Sequence, residues 1–179
     1  CFRAGDANRA AEPGNRTDHV GAGENMGCYR RIDRALEHAL HLPLGTGSRY
    51  VVISDCHRGE GTTNDNFLKN AAMEHYIKRG FFYLELGDGE ELWENRCMDR
   101  IVHYHETVYE MFACLQSRNA LCRIYGNHNM ELRKILPEAI ILDNCEGGRD
   151  VCMIHGHQAD FFNSVCWRLS RALVRYVWK

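Results

Sequence analysis

Phe81-Phe82-Tyr83-Leu84-Glu85-Leu86-Gly87-Asp88-Gly89-Glu90-Glu91 is the stretch on which the fold of this 179-residue chain turns. Six residues, apolar but for Glu85, read as a buried strand that stops at a glycine. The residues after that glycine carry chemistry rather than packing. The same arrangement recurs three times. Tyr50 to Ser54, a short apolar and β-branched run consistent with a buried strand, leads into Asp55-Cys56-His57. Leu121 to Tyr125 leads into Gly126-Asn127-His128-Asn129, and Val151 to Ile154 into His155-Gly156-His157. Four strands thus each deliver metal-capable or acid-base residues at their C-terminal ends. In open α/β sheets that edge is where sites assemble.

Between these strands the periodicity turns helical. Ile32, Leu36, Ala39 and Leu40 have helical spacing, so a helix is expected over 28–42, ended by Pro43, Gly45 and Gly47. Further helices are expected over 65–79, 98–117 and 160–178, and one more strand over 139–142. Alternating strands and helices indicate a layered α/β domain. There is no internal repeat.

The length suits one domain with a real core. Formal net charge is −2 and the pI near 6.6, so nothing global points to nucleic acid or an anionic membrane. No apolar run approaches the roughly 20 residues of a membrane span, and the N-terminus lacks a signal-peptide pattern. The nine cysteines are odd in number and include no C-x-x-C pair. Most sit inside apolar runs, which fits buried reduced thiols in a cytoplasmic protein. Residues 1–25 contain almost nothing to bury and are expected to be a disordered or non-native leader, with Met26 opening the domain over 26–179.

Carboxylate, amide oxygen and imidazole together make a mixed hard and borderline ligand set. It favours Mn²⁺, Fe or Zn²⁺ over Ca²⁺, and over thiolate-rich structural zinc. Residues i and i+2 of a strand share a face, so Asp55 and His57 can reach one ion if extended geometry persists there. A carboxylate such as Asp88 can bridge two ions. Two ions about 3.5–4 Å apart clamp a phosphate and acidify a bridging water.

With these residues in view, the chain resembles the calcineurin-like metallophosphoesterases. Their signature is D-x-H, G-D-x-x-D/E, G-N-H-D/E, a later His before Gly, and a final G-H-x-H. Here Asp55-x-His57, Gly87-Asp88-x-x-Glu91, Gly126-Asn127-His128-Asn129 and His155-Gly156 stand in that order. The resemblance covers about residues 49–160 and implies a layered αββα-type sandwich. It implies that Asp55 and His57 bind the first of two divalent metal ions, that Asp88 bridges both, and that Asn127 and His155 bind the second, with Mn²⁺ favoured. His128 would contact the phosphate and protonate the leaving oxygen. Glu91 would orient the loop from behind.

Two departures from the pattern stand out. Asn129 replaces the acidic residue that usually orients and charges the histidine of the third motif. No G-H-x-H follows His155, since Gly156-His157-Gln158-Ala159 has only the first histidine. The sandwich is therefore expected to be incomplete, and the full-length protein to continue past Lys179. Gly87 to Glu94 and His155 to Asp160 look similar to bacterial members near the UDP-2,3-diacylglucosamine pyrophosphatases, although those usually lack His in the third motif. That neighbourhood implies a phosphodiester or pyrophosphate substrate, a phosphorylated small molecule or a lipid-linked one.

Other residues carry two readings. Arg58, with Gly59 and Gly61 beyond, fits either a phosphate contact or a solvent-facing loop. His157 fits a ligand, a substrate contact or plain surface. Glu90, Glu91 and Glu94 also fit a solvated acidic helix start. His103 and His105 read as surface or packing. The last helix is basic and aromatic, and fits either a lid making peripheral membrane contact or a helix covered by further chain. The activity expected is metal-dependent phosphoester hydrolysis. The rivals are a non-catalytic scaffold on the same fold and a nuclease, the latter disfavoured by the missing basic balance.

Overall fold

A computed structural model describes residues 22–59 and 63–177; the part of the expected leader before Ala22 lies outside the described residues. The chain is mixed α/β. Strands β2 (Tyr50–Ile53), β3 (Phe82–Leu86) and β4 (Leu121–Ile124) form a parallel sheet in the order β2-β3-β4. Parallel neighbours need long crossovers. Helix α2 (Thr63–Lys78) supplies one, and α3 (Met98–Tyr104) with α4 (Glu106–Ser117) the other. All three strands therefore end at the same sheet edge.

A second sheet has the order β1-β5-β6, from β1 (Leu40–Leu44), β5 (Ala139–Asn144) and β6 (Val151–Ile154). β1 runs parallel to β5, and β6 antiparallel to it. Strand alternation divides the core in two. On β3, Tyr83 joins Met73, Val108, Phe112 and Leu115 under α2 and α4. Its neighbour Leu84 joins Cys122 and Ile124, and these meet Ile140 and Leu142 of the second sheet.

Several local expectations are corrected. The first helix, α1, spans Ala22–Glu37 and stops short of 42, because Leu40–Leu44 pairs with β5 instead. Pro43 is tolerated there because β1 is an edge strand. The 98–117 helix breaks at His105, whose N–H closes α3 on Ile101 and whose carbonyl opens α4 by accepting from Val108. The 160–178 helix divides into α5 (Phe161–Ser164) and α6 (Trp167–Tyr176). α5 is capped by Asp160, whose carboxylate accepts from the N–H groups of Phe162 and Asn163. β2 lies at a sheet edge, so Val52 is 44% exposed rather than buried. Among the described residues no disulfide forms. Cys56 and Cys122 are buried, while Cys145 and Cys152 are exposed.

Beneath the site-bearing edge lies a buried four-charge cluster. Arg58 Nη2 is 2.5 Å from Glu85 Oε2 and 3.8 Å from Glu90 Oε1. Arg123 Nε donates to Glu85 Oε1 at 2.7 Å, and its Nη2 donates to Glu90 Oε1. Tyr109 Oη donates to Glu90 at 2.9 Å, and both guanidinia lie over the Phe112 ring. Arg58, Glu85 and Glu90 are essentially inaccessible to solvent. Burial raises the Glu85 carboxyl, but the two guanidinia outweigh it and hold the group below its usual range.

A carboxyl held low in the folded state contributes stability that is present above its unfolded pKa and lost as pH falls below it. Unfolding free energy of the chain is therefore expected to drop as pH falls below the ordinary carboxyl value of 4.5. Glu85→Gln, which leaves two buried guanidinia with Glu90 alone to balance them, is expected to cost about 3–5 kcal/mol at neutral pH and to flatten that acid limb. Urea unfolding of both proteins across pH 3–7 measures both effects.

Candidate metal centre

Past the ends of β2 and β3 the two loops remain tied together. Asp55 N–H donates to Gly87 O at 3.2 Å, His57 N–H to Asp88 O at 2.8 Å, Arg58 N–H to Gly89 O at 3.0 Å, and Glu91 N–H to Arg58 O at 2.9 Å. The extended geometry does not persist. Asp55, His57 and Asp88 have φ of 53°, 46° and 49°. Only one other non-glycine residue among those described, Asn119, is left-handed. Such conformations cost of order 1 kcal/mol each and persist only where the surroundings enforce them. The glycines leave the space this requires. A Cβ on Gly87 would stand 2.5 Å from His155 Nδ1, and one on Gly89 would collide with Glu85, Arg123 and Arg58 of the charged cluster.

The side chains converge on Asp88. Its Oδ2 lies 3.8 Å from His57 Nε2 and 3.1 Å from His155 Nε2. His57 Nε2 is also 3.9 Å from Asp55 Oδ1, and His155 Nε2 is 3.2 Å from Asn127 Oδ1. The structure thus brings Asp55, His57, Asp88, Asn127 and His155 into one group, with Asp88 in the middle. Four of them sit on loops after the parallel sheet. His155 arrives from β6 of the other sheet, so the site forms where the two sheets meet.

The ring tautomers show what this group is built for. His155 Nδ1 lies 2.8 Å from Leu86 O. A carbonyl only accepts, so Nδ1 carries the hydrogen and the neutral ring presents a lone pair at Nε2. His57 Nδ1 lies 2.7 Å from Glu91 Oε2, which frees its Nε2 in the same way. With both rings neutral, lone pairs of two imidazoles, two carboxylates and an amide oxygen face one another. A carboxylate or carbonyl behind a ligating histidine is the usual outer partner of a metal site. The donor set fits divalent cations.

The crowding of acceptors shows in the protonation balance. The Glu91 hydrogen bond raises the pKa of His57, against burial and with help from Asp88. For His155, burial lowers the value, but Asp88 outweighs it and the net shift is upward. Asp88 is pushed up by burial and held low on balance by His155 and His128. Glu91 is likewise pushed up by burial, yet His128 and His57 bring it down to about 2.

Glu91 is more than a loop support. Its Oε2 lies 2.7 Å from both His57 Nδ1 and His128 Nδ1, and its Oε1 accepts from the N–H groups of Trp93 and Glu94. The contact to His128 is short but out of line with its N–H. His128 stands edge-on to His57, with centroids 4.6 Å apart, and its backbone N–H donates to Asp88 Oδ1.

Asn129 does not orient His128. Its Oδ1 accepts from Gly126 N–H and its Nδ2 donates to Glu90. Arg58 neither faces solvent nor opens toward a phosphate, because it is held in the charged cluster. Glu90 is buried there too, not a solvated helix start. His157 is buried behind His155, with ring centroids 5.7 Å apart, and burial lowers its pKa to about 4. It therefore packs as a neutral ring and is neither surface nor a member of the convergent group.

Two neighbours of the site carry no motif. Trp93 stacks on His128 at 4.3 Å with planes 21° apart, and Arg175 holds the turn that carries it. The position of Trp93, two residues after Glu91, is the one signal in the sequence that could have found it. Nothing local marks Arg175. Comparisons with family models, curated proteins and solved structures found no match to this chain.

After Mn²⁺ loading and desalting, the purified chain is expected to retain metal by elemental analysis and Asp88→Asn to lose most of it. Glu91→Gln, which spares every ligand, is expected to weaken Mn²⁺ affinity about 10–100-fold, measured by calorimetric titration.

Proposed function

We propose that this chain is a metal-dependent phosphoesterase of the calcineurin-like type, with two divalent ions at the centre and Mn²⁺ favoured. The observation that carries this reading is the convergence of four donors on a fifth, Asp88, from four strand ends, with both histidines turning Nε2 inward. Asp55 and His57 would hold one ion, Asn127 and His155 the other, with Asp88 between them. Such ions supply Lewis-acid polarisation of a phosphoryl oxygen and a water acidic enough to attack near neutral pH.

The chain's own groups supply the rest. With Nδ1 buried beside Glu91, His128 has Nε2 left for a substrate, where it donates a proton to the departing oxygen. The Glu91 carboxylate places a negative charge against that imidazole. The role usually given to the residue after the third-motif histidine is thereby met from the second motif. The layered αββα arrangement is part of the proposal. It is supported by one apolar cluster shared between the two sheets and another under α2 and α4.

A phosphodiester or pyrophosphate in a phosphorylated small molecule is the substrate class we favour, with a lipid-linked form included. Cytoplasmic placement is favoured by the described cysteines, which form no disulfide. No described helix is long and apolar enough to cross a membrane.

Mn²⁺-dependent release of p-nitrophenol from bis(p-nitrophenyl) phosphate, abolished by chelator and by Asp88→Asn, is the expected result. His128→Ala is expected to lower kcat by about 10²–10⁴-fold on substrates with poor leaving groups. Metal retention without any turnover would favour the scaffold reading instead.

A further inference from the structure

Helix α6 is bound to both loops that flank His128, and the bonds are specific. Arg175 donates from Nε to Trp93 O at 2.8 Å and from Nη2 to Leu92 O at 2.5 Å. One guanidinium thereby spans two consecutive main-chain carbonyls, a fork that no lysine could reproduce. Leu92 N–H in turn donates to His128 O at 3.1 Å, and the Trp93 ring, only 4% exposed, lies on the His128 imidazole. On the other side, Arg171 pairs with Glu131 of the 3-10 turn Met130–Lys134 that follows His128. Arg133 of that turn lies over the Trp167 ring of α6, 5.2 Å from its centroid.

We infer that Arg175 is a positioning residue for the proton donor. It fixes the Leu92–Trp93 turn, and Trp93 then holds the His128 ring in the plane from which Nε2 reaches the departing oxygen. The inference rests on the phosphoesterase reading for its catalytic consequence and on contacts alone for its structural one. No metal-binding donor takes part in it. Its signature is therefore selective. A substrate whose leaving group is stable as an anion needs no proton, whereas one with a basic leaving group does. Mispositioning His128 harms the second and spares the first. General loss of structure or of metal harms both.

The test compares bis(p-nitrophenyl) phosphate with diphenyl phosphate, using wild type, Arg175→Ala and Trp93→Ala loaded with Mn²⁺. Both variants are expected to lose at least about tenfold more activity on diphenyl phosphate than on the nitrophenyl ester. Equal losses on the two esters, or no loss, overturn the inference while leaving the phosphoesterase reading intact. Absence of turnover by wild type on both overturns that reading instead. A second arm needs no activity. In the metal-free chain, nuclear Overhauser contacts between the Trp93 indole and the His128 ring are expected, and are expected to vanish in Arg175→Ala while the core methyl spectrum is kept. Contacts that persist in that variant overturn the positioning role whatever the kinetics show.

Discussion

Two guanidinia and two carboxylates buried together must neutralise one another at short range, and the geometry of the site follows from where they do so. Glu85 comes from β3 and Arg123 from β4. Arg58 and Glu90 come from the loops beyond, and a backbone bridge joins those two residues directly. A displacement of either loop would part opposite charges in a medium with little water, where an uncompensated ion costs several kcal/mol. Such a cluster contributes little net stability compared with apolar packing. Its effect is to make alternative loop arrangements expensive. His57 precedes Arg58, Asp88 lies two residues before Glu90, and Asn129, one residue past His128, donates to Glu90. The metal-capable side chains are thus placed by charges immediately behind them.

That anchoring explains how strained backbone survives at Asp55, His57 and Asp88. Left-handed conformations at three bulky positions would relax if the loops were free. The inter-loop hydrogen bonds and the ion cluster over-determine the path, and the donors face inward as a result. Glycines at 87 and 89 are needed because the neighbouring groups, His155 in one case and the charged cluster in the other, already fill the space a Cβ would take. Rigidity of this kind suits a group of several acceptor side chains held at short range.

Much of this was legible in the order of residues. The three parallel strands, β6, and the five convergent donors were all readable, because a strand ending in Gly-Asp or Gly-Asn-His signals itself locally. β1 was hidden because its alternation of Leu40, Leu42 and Leu44 is only five residues long, contains Pro43 and overlaps the helical spacing that runs through Ala39 and Leu40; pairing with β5 decides it. The break at His105 and the division of the last helix were hidden for a related reason, as neither contains a glycine or a proline. Arg58 beside two glycines looks like a phosphate contact in sequence, and only its burial between Glu85 and Glu90 shows its other use.

The sequence by itself determined which chemistry is available and the order in which strand ends deliver it, because residue type and strand-end position are local properties. It also determined that Asn129 could not charge His128. Only the tertiary structure decided that Glu91 stands behind both His57 and His128, that Trp93 lies on the His128 ring, and that Arg175 reaches back across more than eighty residues to hold its turn. Those are contacts between segments far apart in the chain. Their partners are ordinary acidic, aromatic and basic residues, and nothing local distinguishes them until the two sheets and α6 have packed.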